Sequence, residues 1–440
     1  MADTRIASVR GRRVWDSRGQ PTVEVEVALV CGATGRAIAP AGASTGTAEV
    51  VELRDHGPAF GGHGVERAVA AVNGEIAAAL KGTVSSDQAA IDSIMIRLDG
   101  TDDRSRLGGN AIVASSMAVL HARAAADGVP LWRHLAGGNK VRMPLPEVQI
   151  FGGGAHAARR VDIQDFMVMC PAASTFSEAL EWTAEIYRAA GLLMARAGKL
   201  QGVADEGGYW PVFASNEEAL DTLVRSIEEA GFKAGKDACI SLDIAASEFG
   251  GNGEYRLALD GKVLDTAAMI DLLGRWIETY GIISVEDPLA EDDAAGFGAF
   301  VRRFGHRCQI IGDDFLVTNA ARVTRAGADK TATAVLIKPN QAGTITEAHA
   351  ALQAGKTAGF GTIVSARSGE TEDVTIAHLA VGWDAGQLKV GSFSRSERMA
   401  KWNECLRIEE ALGDQAVFAG WSGLGFSDQG KSAERSPRAS

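Results

Sequence analysis

Three carboxylates stand where they could share a metal ion. Asp243, Glu286 and Asp313 each follow directly on a short apolar run. If these runs are strands of one β/α barrel, their carboxyl ends meet at a single mouth. Three negative charges there would repel one another unless a divalent cation relieved the repulsion. Each carboxylate alone could equally be a solvated loop residue or a helix cap, but their common position favours a metal site.

The ligand types favour a particular cation. Carboxylate oxygens suit a hard ion, so the three residues predict Mg²⁺ before Zn²⁺. The eight histidines form no HxH or HxxxH pair, which leaves a zinc site unsupported.

A lysine follows a further apolar run, at 335–337. Burial at the end of such a run is expected to lower the pKa of Lys338, and a lysine with a lowered pKa suits a general base. A lysine that reaches solvent, or one that pairs with Asp313, explains the spacing equally well.

Two later apolar runs end in groups that could bind an anion. Arg367 and Ser368 follow the run at 362–364, and Lys389 follows Leu388. An arginine fork with a serine hydroxyl suits a phosphate group, and an ammonium suits a carboxylate. Taken singly, each of these residues is better explained as a surface group.

Two glycine-rich loops carry further candidates. Glu206 precedes Gly207 and Gly208, and its carboxyl group could act as a general acid or hold a water, although a surface turn is the simpler interpretation. His156 follows the glycines at 152–154. That loop lacks the Lys-Ser/Thr of a P-loop, and the pattern alone leaves His156 unassigned.

The elements that would position these residues change character along the chain. Residues 21–27 alternate as a half-buried strand does, and Ala-rich helical segments follow at 65–80 and 110–127. Beyond a linker near 138–146, helices alternate with short apolar runs, the pattern of a parallel sheet or barrel. Ser215 with Glu218 predicts a capped helix start.

Composition limits the class of protein. The chain has 440 residues, a net charge of -12 and five scattered cysteines without a CxxC pair. These features argue against nucleic-acid binding and favour a reducing compartment. No signal peptide or membrane span is predicted, so we expect a cytoplasmic protein without membrane partners. The tail at 427–440 is rich in Ser, Lys and Arg and is predicted to be disordered.

Several segments together resemble one family. The longest is the sequence SARSGETED at 365–373, and RSERMAK follows at 395–401. Shorter matches are DSRG at 16–19, ASTG at 43–46, DEGG at 205–208, SVEDP at 284–288, KPNQ at 338–341 and LRIEE at 406–410. They occur in the order found in enolases and extend over residues 5 to about 420. The chain therefore resembles the enolase family.

The resemblance implies a fold and a metal centre. It implies an α+β N-terminal domain at 1–138 and a C-terminal β/α, TIM-type barrel at 139–426. It implies a first Mg²⁺ on the three carboxylates and a second Mg²⁺ near Ser44, arriving with the substrate. It also implies a homodimer or a larger homo-oligomer.

The resemblance also implies roles for the other candidates. Lys338 matches the base that removes the proton α to a carboxylate, and Glu206 matches the acid that helps the hydroxyl leave. His156 matches a mobile-loop histidine near the substrate. Further substrate contacts fall on Gln164, Arg367, Ser368 and Lys389. The implied substrate is a small anionic phosphorylated or phosphonylated carboxylate.

The sequence departs from the family pattern around the site. Ala366 stands at a substrate-binding position where the family usually has a histidine, and Asp165 stands at a catalytic position where it usually has a glutamate. The segments at 40–42 and 152–155 also differ from the usual Pro-Ser-Gly and Asn-Gly-Gly-Ser.

Three functions are compatible with metal-binding and catalytic residues that match the family and neighbouring residues that differ from it. The first is a phosphopyruvate hydratase, a carbon–oxygen lyase that converts 2-phosphoglycerate to phosphoenolpyruvate. The second is an enolase-derived enzyme of phosphonate natural-product biosynthesis, such as a carboxyphosphonoenolpyruvate synthase, with a larger donor admitted beside Ala366. The third is a catalytically weak binding paralogue, which the intact Lys338 and Glu206 argue against.

Overall fold

The computed structural model describes residues 2–43 and 46–425. Ser44, the predicted ligand of a second cation, and the predicted disordered tail lie outside the described residues. The part of the chain that is described contains no helix long and apolar enough to cross a membrane.

The N-terminal part is a three-stranded antiparallel sheet covered by helices. Its strands, in the order β1-β2-β3, are β1 (Ile6–Trp15), β2 (Pro21–Leu29) and β3 (Thr34–Ile38). Its helices are α1 (Glu66–Ala71), α2 (Ala77–Leu80), α3 (Gln88–Asp99), α4 (Gly109–Asp127) and α5 (Leu131–Ala136), with a π-helical turn between α1 and α2. The alternation predicted in β2 is only partly present: Val23, Val25 and Val27 are fully buried, but Glu24 between them is buried as well and only Glu26 is partly exposed. Gly35 lets β3 approach α4 closely, since a Cβ there would lie 2.1 Å from the Ala122 backbone nitrogen.

The C-terminal part is a closed eight-stranded barrel, as predicted. In chain order its strands are β4 (Leu145–Gly152), β5 (Asp165–Met169), β6 (Cys239–Asp243), β10 (Ser284–Glu286), β11 (Gln309–Gly312), β12 (Ala334–Ile337), β13 (Gly361–Ser365) and β14 (Gly386–Ser392). A small sheet after β6 holds β7 (Gly250–Gly251), β8 (Glu254–Leu257) and β9 (Lys262–Asp265).

An α-helix follows every barrel strand except β4. The helices are α6 (Phe176–Arg196), α7 (Asn216–Glu229), α8 (Thr266–Tyr280), α9 (Ala294–Phe304), α10 (Ala320–Asp329), α11 (Pro339–Ala342), α12 (Ile345–Thr357), α13 (Thr375–Gly382) and α14 (Ser396–Leu412). Two of them, α6 and α7, follow β5. The start of α7 confirms the predicted cap: Ser215 Oγ accepts the Glu218 amide at 3.1 Å. The Glu218 carboxylate accepts the Ala214 amide at 2.6 Å, one residue earlier than a standard capping box would have it.

One strand departs from the βα repeat. β5 runs antiparallel to both of its neighbours, β4 and β6. Its first residue, Asp165, therefore lies opposite Asp243, the last residue of β6. An expectation based on the carboxyl ends of parallel strands does not apply to this strand, whose amino end faces the mouth of the barrel.

The two parts share apolar packing. One cluster of buried side chains includes Val25 of the N-terminal sheet, Ile112 of α4 and Leu352 of α12. The link between α5 and β4 falls at 137–144, and we keep residue 138 as the proposed end of the first domain.

Candidate active site

Most of the predicted site residues gather in a pocket at the mouth of the barrel. The pocket is lined by Ala43, His156, Gln164, Asp165, Glu206, Asp243, Lys338, Ser365, Ala366, Arg367, Ser368, Lys389 and Val390. Glu286 and Asp313 lie behind this lining and contact its two lysines.

Each side chain is placed by its element. Asp243 and Glu286 are the last residues of β6 and β10, and Lys338 directly follows β12. Lys389 lies inside β14, where the register shifts just after it. The loop that carries Glu206 is held against the same strand, since the Ser392 amide donates to the Glu206 carbonyl at 2.9 Å.

The predicted metal carboxylates are paired with lysines. Lys389 Nζ lies 2.9 Å from Asp243 Oδ2 and 2.8 Å from Glu286 Oε2. Lys338 donates to Asp313 Oδ2. Burial acts to lower the pKa of Lys389, but the charges of Asp243 and Glu286 outweigh it and raise that pKa well above its usual range.

The same residues fit a hard cation. Glu286 Oε1 is buried and has no hydrogen-bond partner in the described chain. Burial and the charge of Asp243 raise the pKa of Glu286 well above its usual value. A buried oxygen without a partner, beside a second carboxylate, is the environment that a divalent cation would satisfy.

The described structure gathers other acidic groups more tightly than the predicted set. Ligand atoms within 4.8 Å of one another occur in two groups among residues 2–43 and 46–425: His156, Asp165 and Glu206; and Asp287, Asp313 and Asp314. In the predicted set, Asp243 and Glu286 contact Lys389, whereas Asp313 contacts Lys338.

The predicted fall in the pKa of Lys338 is wrong for this structure. Burial does lower that pKa, and so does the charge of Arg367. The negative charges of Asp313 and Glu286 nevertheless prevail, so the pKa of Lys338 is raised. The apolar run before Lys338 predicts its burial but contains no information about the carboxylates that face it from other strands.

His156 lies between two carboxylates. Its Nδ1 is 3.1 Å from Asp165 Oδ1, and its Nε2 is 3.8 Å from Glu206 Oε1. Gln149 also donates to Asp165 Oδ1. Burial alone would lower the pKa of His156, but the charges of Glu206 and Asp165 raise it to about 9. The imidazolium in turn lowers the pKa of Asp165 against the effect of burial. The trio can hold and transfer a proton beside the pocket.

The guanidinium of Arg367 is fixed from the N-terminal part of the chain. Its Nη1 donates to Glu49 Oε2 at 2.9 Å and to Asn340 Oδ1 at 3.1 Å, and its Nη2 donates to Glu49 Oε1 at 3.3 Å. Burial opposes ionisation, but the charge of Glu49 raises the pKa of Arg367. Ser368 follows it into the pocket lining.

Sequence reasoning missed several supporting residues. Gln341 donates to Asp313 Oδ1 at 2.8 Å, and Asp287 accepts the amides of Asp313 at 2.9 Å and Asp314 at 2.7 Å. Both lie inside the KPNQ and SVEDP segments, so those segments were the available signal. Glu49 carries no comparable signal, because it reaches the site from another part of the fold.

Comparison with known proteins assigns the family. A family model described as "Enolase, N-terminal domain" matches residues 6–135, and one described as "Enolase, C-terminal TIM barrel domain" matches residues 140–425. The chain belongs to the enolase family. A curated enolase-family relative, "Enolase 1" of Desulfitobacterium hafniense (strain Y51), is 50% identical over 421 residues, which cover 95% of this chain and 96% of the relative. The predicted membership and enzyme class, a carbon–oxygen lyase of the enolase family, are confirmed.

Two departures from the enolase pattern lie inside the pocket of this enolase-family chain. Ala366 lines it with a methyl group, and its amide donates to the Lys389 carbonyl at 2.9 Å. Asp165, although one methylene shorter than glutamate, still contacts His156 and lies 3.6 Å from Lys389 Nζ.

Proposed function

We propose that the protein dehydrates 2-phosphoglycerate to phosphoenolpyruvate with the help of Mg²⁺. The observation that carries the proposal is the joint lining of one pocket by Lys338, Glu206 and Arg367. A base, an acid and an anion-binding fork around one small space are what α-proton removal with loss of a hydroxyl requires. Similarity to a protein named "Enolase 1" supports the same reaction.

We propose Asp243, Glu286 and Asp313 as the ligands of Mg²⁺, with Ser44 near a second ion. When bound, Mg²⁺ would supply positive charge that stabilises the negative charge developing on the substrate carboxylate. The unpartnered Glu286 Oε1 supports this assignment.

Lys338 is the proposed base, although its pKa is raised. The carboxylates that raise this pKa, Asp313 and Glu286, are the proposed cation ligands. Neutralising them would leave burial and the charges of Arg367 and Lys389, which all lower the pKa of Lys338. With the cation bound, Lys338 would then favour its uncharged amine form, which can accept the α proton.

Glu206 is the proposed acid for the departing hydroxyl. His156 lies on one side of it and shares its charge with Asp165. This contact is longer than a hydrogen bond, and it places a group that can hold a proton beside the Glu206 carboxyl group. Arg367 and Ser368 are the proposed phosphate ligands, with Lys389 and Gln164 at the carboxylate end. We also propose a cytoplasmic homo-oligomer with domains at 1–138 and 139–426, as the family suggests.

The test is ultraviolet detection of phosphoenolpyruvate formed from 2-phosphoglycerate by purified protein with Mg²⁺. Turnover is expected, and Lys338→Ala should lower it by about 10³-fold because the base is lost. Lys236→Ala, a change at an exposed lysine, is the matched control and should retain activity. Folded protein that binds Mg²⁺ but forms no phosphoenolpyruvate would contradict the proposal.

The second candidate is a phosphonate-pathway enzyme of the carboxyphosphonoenolpyruvate synthase type. The observation that favours it is the small Ala366 side chain in the pocket lining, where a larger donor could fit. If 2-phosphoglycerate fails, turnover of phosphonate donors by the wild-type protein and its loss in Lys338→Ala would support this candidate.

A further inference from the structure

A buried arginine lies behind the proposed phosphate ligands. Arg398, on α14, has 0% of its surface exposed. Its Nη1 donates to the Arg367 carbonyl at 2.6 Å and to the Val390 carbonyl at 3.0 Å. Its Nη2 donates to the Ser368 carbonyl. One guanidinium therefore joins the backbone of both proposed ligands to strand β14.

The burial of this charge is costly for folding. Removing a guanidinium from water opposes folding strongly unless strong partners compensate. The hydrogen bonds described above go to neutral carbonyls, and the recorded ion pair, to Glu397, is longer at 3.5 Å. Apolar residues of similar volume often replace buried ions without loss of stability. A role in the site is therefore a better explanation for Arg398 than a role in stability.

The same helix holds the far end of the loop. Lys401 is also fully buried, and its Nζ donates to the Thr371 carbonyl at 2.6 Å and lies 2.9 Å from Glu370 Oε2. The other Glu370 oxygen accepts the Arg367 amide at 3.0 Å. The loop at 366–371 is thus fixed to α14 at two points, through backbone atoms rather than through the side chains that face the pocket.

We propose that Arg398 is a positioning residue for phosphate recognition. By holding the carbonyls of Arg367 and Ser368, it sets the direction in which their side chains enter the pocket. The inference rests on the proposed role of those two side chains as phosphate ligands. A lysine would keep the charge but could not donate to three carbonyls from a planar fork, so the fork itself is required.

The experiment compares three variants of the full chain with Mg²⁺ present. Arg398→Lys keeps the charge and Arg398→Met removes it. Trp402→Phe, on the next turn of α14, is the matched control: Trp402 is equally buried, and its Nε1 donates to the Ser392 carbonyl at 3.2 Å, outside the loop. The readouts are inhibition by inorganic phosphate, KM and kcat with 2-phosphoglycerate, and Tm.

Arg398→Lys should raise the phosphate inhibition constant and KM by about tenfold, the effect of one misplaced charged hydrogen bond, with kcat within about threefold. Arg398→Met should show a larger increase, and Trp402→Phe should show none. In the double variant with Ser368→Ala, the two effects on KM should be less than additive, because Arg398 acts through Ser368.

Unchanged phosphate inhibition in Arg398→Lys would overturn the inference, even if Tm fell. If Arg398→Met does not fold, Arg398→Lys and the double variant still decide. A wild-type protein that is active but insensitive to phosphate would also overturn it. A wild-type protein that is neither active nor inhibited would instead overturn the proposed function, and the inference with it.

Discussion

At the scale of single residues, opposite charges across the mouth of the barrel decide the protonation of the site. Lys338 and Lys389 are buried, yet facing carboxylates keep the pKa of each raised. His156 shows the same effect, with its pKa raised to about 9 by Glu206 and Asp165 against the effect of burial. Burial alone predicts the wrong direction for all three groups.

The His156 environment predicts a pH-dependent stability. Because its pKa is raised, His156 keeps a proton in the folded protein that it loses in the unfolded chain. The contribution of this proton to the free energy of unfolding is fully present below pH 6.5 and is lost as the pH rises through about 9. Asp165→Asn should lower the pKa of His156 and reduce this loss. Nuclear magnetic resonance titration of His156 and urea unfolding across that range, without Mg²⁺, would measure both effects. Glu228→Gln, at an exposed site, is the control, and an unchanged titration in Asp165→Asn would show that the remaining carboxylates, Glu206 and Asp243, sustain the pKa of His156.

The unpartnered oxygen of Glu286 predicts how Mg²⁺ affects stability. A cation that binds only the folded state at about 100 times its Kd stabilises it by about 2.7 kcal/mol. We expect Mg²⁺ to raise the Tm of the wild-type protein, and Glu286→Gln to lose most of that increase. Differential scanning calorimetry with and without Mg²⁺ measures the difference, with exposed Glu278→Gln as the control. An equal rise in Tm on addition of Mg²⁺ in Glu286→Gln and Glu278→Gln would show that Glu286 does not bind the metal.

At the scale of elements, the direction of β5 determines one side of the site. Because β5 is antiparallel, its first residue, Asp165, meets His156 and lies opposite Asp243. The connection between β4 and β5 consequently lies at the mouth of the barrel, and it carries His156 and Gln164 into the pocket. One reversed strand thus supplies several of the candidate residues.

The start of α7 gives a prediction at this scale. Ser215→Ala should lower the unfolding free energy by about 1 kcal/mol, because the Glu218 amide loses its acceptor. Ser215→Asp should retain most of the stability, since an aspartate caps equally well. The urea midpoints of the three proteins measure the effect. Identical midpoints for the alanine and aspartate variants would show that the cap contributes nothing measurable.

At the scale of the whole molecule, side chains of the N-terminal part cap a helix of the barrel. Asp92 of α3 accepts the Thr346 amide at 3.0 Å and the Ser116 hydroxyl at 2.7 Å. Ser116 of α4 in turn accepts the Ile345 amide at 3.0 Å. The first amides of α12, a barrel helix, are therefore capped by side chains of the N-terminal part. Glu49, also from the N-terminal part, forms an ion pair with Arg367 of the barrel part.

This shared cap predicts coupled unfolding of the two parts. Asp92→Ala should lower the unfolding free energy by about 3 kcal/mol, because the buried Ser116 hydroxyl and the partly buried amide and hydroxyl of Thr346 lose their acceptor. Calorimetry should show a single transition in the wild-type protein and a broadened or divided one in the variant. Asp329→Ala, an exposed change on α10, is the control. A variant with the same Tm and transition width as the wild type would contradict the role of Asp92.

The sequence by itself determined the family, the barrel and the strand-end positions of Asp243, Glu286 and Lys338. It could do so because strand periodicity and motif order are local properties of the chain. It did not predict the reversal of β5 or the raised pKa of Lys338. It also gave no sign of the contacts of Glu49 and Arg398 with the loop at 366–371. Those features depend on which distant segments meet, and electrostatic interactions depend on distance and burial, which only the tertiary structure decides.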